Sequence, residues 1–95
     1  MKHMTLSEVA DACCGIYCGD PAFLDCEVSS VAIDSRKVVK DTLFVALKGA
    51  RVDGHSFIPQ VMEAGALCSL SEQDLGDVDY PYIRVSSCTE ALKDL

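Results

Sequence analysis

Residues Thr42 to Leu47 read Thr-Leu-Phe-Val-Ala-Leu, an apolar run in which the two sides of a strand do not alternate. A strand that is apolar on both sides needs cover on both faces, and that demand constrains this chain more than any other stretch of it. Around the run lie weaker strand patterns. Val28 to Ile33 alternates Val-Ser-Ser-Val-Ala-Ile and stops at Asp34, Ala66 to Leu70 is a short apolar segment, Tyr82 to Val85 is another, and Ile16 to Cys18 is a short candidate inside a turn-rich stretch.

Helical signals separate these strands. Thr5-Leu-Ser-Glu8 has the spacing of a capping box and predicts a first helix from about Leu6 to Cys14, closed by Gly15 in a left-handed cap. A second helix is expected from Ser56 to Ala64, with Asp53 or His55 as its N-cap, Pro59 in its first turn, and Phe57, Ile58, Val61 and Met62 as its apolar stripe. Gly65 closes it. Ser87-Cys-Thr-Glu90 repeats the capping-box spacing and opens a third helix through Ala91, Leu92 and Leu95. The chain has 95 residues, enough for one compact domain and one modest core. The expected architecture is a small α/β domain, with a mixed sheet of about four or five strands and helices packed against it. The last helix carries no Gly, Asn or Pro stop signal before Leu95. The expectation is therefore that residues 1–95 are the opening domain of a longer protein.

Charge is unevenly placed. Five of the eight Lys and Arg residues (Arg36, Lys37, Lys40, Lys48 and Arg51) fall between positions 36 and 51, where Asp41 is the lone acid. That window carries +4 while the remaining residues carry −11, giving the net −7. A local cationic segment on an acidic domain points to a specific anionic small molecule and argues against nucleic acid as a partner. No apolar run reaches the roughly 18 residues of a membrane span. The N-terminus lacks the apolar segment of a signal peptide, so a cytoplasmic address and no membrane partner are expected.

Six cysteines are present, but no C-x-x-C pair occurs and only two histidines accompany them, which argues against zinc. Without a secretory context a disulfide framework is not expected either, and Cys68 and Cys88 read as small buried hydrophobes. The phosphate-binding order G-x-x-x-x-G-K-[ST] is missing, since Lys48-Gly49 runs in the opposite sense. No serine has a plausible His and acid partnership in the sequence. The acidic series Glu72, Asp74, Asp77 and Asp79 lacks calcium-loop spacing and reads as a surface loop. No catalytic residue, cofactor site or metal site is expected in these residues.

Ile33-Asp-Ser-Arg36, Leu43-Phe-Val-Ala-Leu-Lys-Gly49, Asp53-Gly-His-Ser-Phe57 and Gly65-Ala66 together, in this order and spacing, resemble the N-terminal domain of the Mur ligases, the ATP-dependent enzymes that extend the peptidoglycan stem peptide. The opening Thr-Leu-Ser-Glu-Val-Ala-Asp and the tail Ile83-Arg-Val-Ser-Ser-Cys-Thr-Glu-Ala-Leu look more like members that add D-alanyl-D-alanine than like those that add the third stem residue. The resemblance implies a three-domain ligase whose first domain grips the uridine diphosphate of a UDP-N-acetylmuramoyl peptide; the alternative from another class is a freestanding regulatory or protein-interaction module. ATP and Mg2+ would belong to a central domain, and a C-terminal domain would help admit the incoming amine. This chain alone would be inactive.

Carried onto matching positions, the resemblance implies substrate contacts by Ile33, Ser35 and Arg36 in one loop, and by Gly49, Ala50, Arg51 and Val52 in another. The residue chemistry is compatible: an apolar side chain packs against a base, hydroxyl and amide groups bond its edge or a diphosphate, and Arg offers a planar fork of donors. Each has an alternative. Ile33 is equally a strand-end core residue, Ser35 a turn cap, Arg51 a solvated charge, and Arg36 a partner for Asp34 or Asp53.

Overall fold

A computed structural model describes residues 4–48 and 53–95. Strand β1 (Met4–Thr5) leads directly into helix α1 (Leu6–Ala12), followed by β2 (Ile16–Cys18), β3 (Glu27–Val28), β4 (Ser30–Ala32) and β5 (Thr42–Val45). Helix α2 (Ile58–Glu63), strands β6 (Cys68–Ser71) and β7 (Tyr82–Arg84), and helix α3 (Cys88–Lys93) complete the order. Short 3₁₀ turns occupy Pro21–Phe23, Ser35–Lys37 and Gly54–Phe57.

Five strands form a mixed sheet in the order β2-β7-β6-β5-β4. β4, β5, β6 and β7 run parallel, and β2 joins the β7 edge antiparallel. The mixed α/β class expected from the sequence is the one observed, with β5 an interior strand between β4 and β6. Its apolar run is explained by two-sided cover. Leu43 and Val45 belong to a core with Leu6 and Val9 of α1 and Cys88 and Ala91 of α3, while Phe44 and Ala46 belong to a second core with Ile58 and Val61 of α2. Successive residues point to opposite faces of a strand, so a strand sandwiched between helix layers must be apolar at every position. Thr42, fully buried at its start, satisfies its hydroxyl against Ser30 Oγ at 2.9 Å and the Val39 N–H at 3.2 Å.

Four expectations need correction. The predicted Val28 to Ile33 strand is two strands. β3 pairs antiparallel with β1 in a separate two-stranded sheet, and β4 pairs parallel with β5. The break is at Ser29, whose N–H donates to Asp41 O at 2.9 Å and whose hydroxyl donates to Lys40 O at 3.1 Å, which turns the chain from one sheet to the other. The first helix stops at Ala12, and its left-handed residue is Cys14 (φ 53°), not Gly15. Gly15 N–H bonds Ala10 O at 2.8 Å and Cys14 N–H bonds Asp11 O at 3.3 Å, the two bonds of a Schellman cap. Gly15 is needed for a different reason: a Cβ there would lie 2.6 Å from Ile83 Cγ2.

The second helix also starts later than expected. Asp53 caps the 3₁₀ turn Gly54–Phe57, its carboxylate accepting the His55 N–H, and α2 proper begins at Ile58 behind Phe57, which gives no side-chain cap. Pro59 sits in the first turn as expected, and Gly65, with φ +116°, closes the helix. The acidic stretch after β6 is more engaged than a plain surface loop. Glu72 Oε2 accepts the Cys88 N–H at 2.8 Å at the start of α3, and Asp74 Oδ1 accepts the Tyr82 hydroxyl at 3.0 Å and the Gly76 N–H at 2.9 Å. Ser87 caps α3 by accepting the Glu90 N–H at 3.2 Å. Among the described residues no helix is long and apolar enough to cross a membrane.

Candidate functional site

The carboxyl ends of parallel strands are where open α/β sheets present ligand crevices. Here β4 ends at Ala32 and β5 at Val45, and the residues just beyond them diverge around an open cleft of about 630 Å³. Ile33, Asp34, Ser35 and Arg36 form one wall, Leu47 lines the cleft beyond β5, and Gly54, Phe57 and Gln60 form the other wall.

The first wall is shaped by Asp34. Its Oδ1 accepts the Arg36 N–H at 2.9 Å and caps the Ser35–Lys37 turn, so the turn-capping role left open for Ser35 falls to its neighbour. The same carboxylate takes a two-pronged bond from the Arg36 side chain, Nε to Oδ1 at 3.0 Å and Nη2 to Oδ2 at 2.8 Å. These bonds hold the Asp34 pKa down at about 2, and Asp34 in turn raises that of Arg36. Of the two partners open to Arg36 in the sequence, Asp34 is the one it takes. Asp53 is occupied by His55. Ile33 is 54% exposed and is therefore no core residue at a strand end. Its side chain lines the cleft instead.

The second wall depends on a close backbone approach. Gly54 N–H donates to Leu47 O at 2.8 Å, and a Cβ on Gly54 would meet Leu47 N and O at 2.8 Å each. Lys48 and Asp53 face one another in an antiparallel bridge. The Asp53 carboxylate accepts the His55 N–H at 3.0 Å and lies 2.6 Å from Nδ1 of the ring, and these contacts, the backbone bond foremost, lower its pKa.

The structure thus brings Ile33, Ser35 and Arg36 together at one cleft. Gly49, Ala50, Arg51 and Val52 lie outside the described residues. Leu47, Gly54, Phe57 and Gln60 line the cleft without having been picked out from the sequence. Phe57 read there as part of a helix stripe, and the Asp-Gly-His turn was the available signal for Gly54. An apolar lining of Ile33, Leu47 and Phe57, drawn from both sides of the cleft, beside the Ser35 hydroxyl, the Gln60 amide and the Arg36 guanidinium suits a planar ring carrying polar edges. Among the described residues that line the cleft there is no paired nucleophile and base. Among the described residues no group of His, Cys, Asp and Glu side chains is placed to hold a metal ion. With no phosphate-binding loop in the sequence, these residues do not fit ATP as a resident cofactor.

Comparison with known proteins follows the same lines. Residues 27–95 match the family described as "Mur ligase family, catalytic domain". The chain is 44% identical over 73 residues to the UDP-N-acetylmuramoyl-L-alanyl-D-glutamate--2,6-diaminopimelate ligase of Bacillus velezensis, a match covering 77% of this chain and 15% of that protein. The ligase of the same name from Listeria innocua is 37% identical over 89 residues, covering 94% of this chain and 18% of its own length. Among solved structures, MurF from Acinetobacter baumannii superposes on the whole chain with a TM-score of 0.88 at 27% identity, and the chain covers 20% of it. The chain therefore spans less than a fifth of the length of these curated relatives. It belongs to the Mur ligase family and has the fold of that family's N-terminal domain.

Proposed function

We propose that residues 1–95 form the substrate-gripping first domain of an ATP-dependent peptidoglycan ligase, and that the cleft beyond β4 and β5 takes the uridine diphosphate end of a UDP-N-acetylmuramoyl peptide. The observation that carries this reading is the cleft itself: apolar side chains and convergent polar groups at the carboxyl ends of two parallel strands, with the Ile33–Arg36 loop as one wall. Ile33, Leu47 and Phe57 would pack on the uracil ring. Ser35 and Arg36, with Gly49, Ala50, Arg51 and Val52 of the second loop, would bond the base edge and the diphosphate. Arg36 enters that role already paired with Asp34, so most of the charge for the diphosphate falls to Arg51 and its neighbouring lysines. ATP and Mg2+ would act in a further domain of the longer protein, in the cytoplasm.

Two amine substrates remain in view. The 37% to 44% identity to the diaminopimelate ligases supports addition of the third stem residue. The whole-chain superposition on MurF at 27% identity supports the D-alanyl-D-alanine adder suggested by the sequence of the two ends. We favour the third-residue ligase, because the identity is higher and also extends over 94% of this chain.

Calorimetric titration tests the site. UDP should bind, and adenosine diphosphate, with the same phosphates on a larger base, should bind at least about tenfold more weakly if the base is read by the apolar side chains. Equal affinity for the two would reduce the cleft to a general anion site. In the full-length enzyme, Arg51→Ala should raise the Michaelis constant for the UDP-peptide more than it lowers turnover, the pattern of lost ground-state binding.

A further inference from the structure

His55 sits where the second wall of the cleft meets the body of the domain, and its side chain is only 5% exposed. The Glu72 N–H donates to its Nε2 at 2.9 Å. A backbone amide can only donate, so Nε2 carries no proton, and the ring hydrogen lies on Nδ1, 2.6 Å from Asp53 Oδ1. Glu72 continues the chain of contacts: its Oε2 accepts the N–H of Cys88, the first residue of α3, at 2.8 Å. The imidazole thereby joins the cleft loop to the residue that follows β6, and the Glu72 carboxylate carries the tie on to the start of α3. The loop side of this tie also contains Gly54, pressed against Leu47.

We propose that His55 is a positioning residue, a neutral Nδ1-protonated clamp that fixes the second wall of the cleft to the Glu72–α3 junction, so that Gly54 and Phe57 stand at a set distance from Ile33. Its consequence for ligand binding rests on the nucleotide reading above; the clamp itself does not. His55→Phe keeps the volume and removes both ties. His55→Gln keeps an acceptor for the Glu72 N–H and gives up the tie to Asp53.

Two measurements on the full chain test this. Without ligand, long-range proton–nitrogen spectra should show the Nδ1-protonated ring. Amide hydrogen exchange at Gly54, Glu72 and Cys88 should rise about tenfold in His55→Phe, the scale of one unsatisfied buried amide. In His55→Gln the Glu72 amide should stay protected while Gly54 exchanges faster. A ring protonated on Nε2, or a folded His55→Phe with unchanged exchange at all three amides, overturns the clamp. If His55→Phe does not fold, His55→Gln decides: exchange unchanged at Gly54 overturns the proposal as well. With ligand, UDP affinity should fall about tenfold in His55→Phe and recover to within about threefold of the unaltered chain in His55→Gln. Equal affinity of all three proteins overturns the positioning role. Absence of UDP binding by the unaltered chain would defeat the nucleotide reading, and the exchange data would still decide the clamp.

Discussion

Asp34 and Arg36 show how a charge that stands out in a sequence can be committed by its neighbour. The window from 36 to 51 carries most of the chain's cations, yet the guanidinium at its start spends Nε and Nη2 on a carboxylate two residues away. The pairing has a pH signature. Asp34 titrates at about 2 when folded, below its ordinary 3.8, so the pair stabilises the loop above the ordinary value and that contribution is lost as pH falls toward 2. Carboxyl-carbon NMR should place the Asp34 midpoint near 2 in the native chain, with the Arg36 side-chain signals moving in the same transition; a midpoint near 3.8 would show that the pair does not form. At Gly54 the constraint is steric. Gly54→Ala places a methyl 2.8 Å from Leu47 N and O and should destabilise the domain by about 1–3 kcal/mol in urea melts while weakening UDP binding. The sequence announced a turn at Asp-Gly-His, but the reason for the glycine is a contact with Leu47 that only the fold creates.

The elements were legible where their causes are local. The Thr5/Glu8 capping box forms in both directions, the Glu8 N–H to Thr5 Oγ1 at 3.2 Å and the Thr5 N–H to Glu8 Oε1 at 3.0 Å. The causes that escaped are remote ones. Two-residue strands such as β1 and β3 have no periodicity to detect, and the break at Ser29 is set by Lys40 and Asp41 across the sheet. Glu72 looked like one more acid in a surface loop because the amide it accepts is 16 residues away. Cys14 took the left-handed position one residue before the glycine expected there. A non-glycine residue in that conformation is strained. Cys14→Gly should therefore stabilise the chain by about 0.5–1 kcal/mol, read as a higher urea midpoint with unchanged slope. A lower midpoint would mean that the Cys14 side chain contributes more than the strain costs.

At the scale of the whole molecule, the unbroken apolar run of β5 is the feature from which the rest can be argued. It demands two helical layers, the layers make the sheet parallel around it, and the parallel strands leave a crevice at their carboxyl ends. Phe44, 1% exposed on the α2 face, is the largest fully buried side chain of that second core. Phe44→Ala should cost about 3–5 kcal/mol, a large part of the roughly 5–15 kcal/mol that holds a domain together, and calorimetry should record a matching fall in the melting temperature. The sequence reached the fold class and one wall of the cleft, because the strand pattern and the Ile-Asp-Ser-Arg loop are continuous in the chain. It missed the opposite wall, since Leu47, Gly54, Phe57 and Gln60 meet the first loop only after the β5–α2 crossover closes. The central claim is that this cleft, and no other part of the domain, receives the nucleotide. Titration of the isotope-labelled chain with UDP, followed by amide and methyl NMR, tests it most directly. The shifts should concentrate at Ile33 to Arg36, Leu47, Gly54, Phe57 and Gln60. Silence at millimolar UDP, or shifts centred instead on residues outside this cleft, would contradict it.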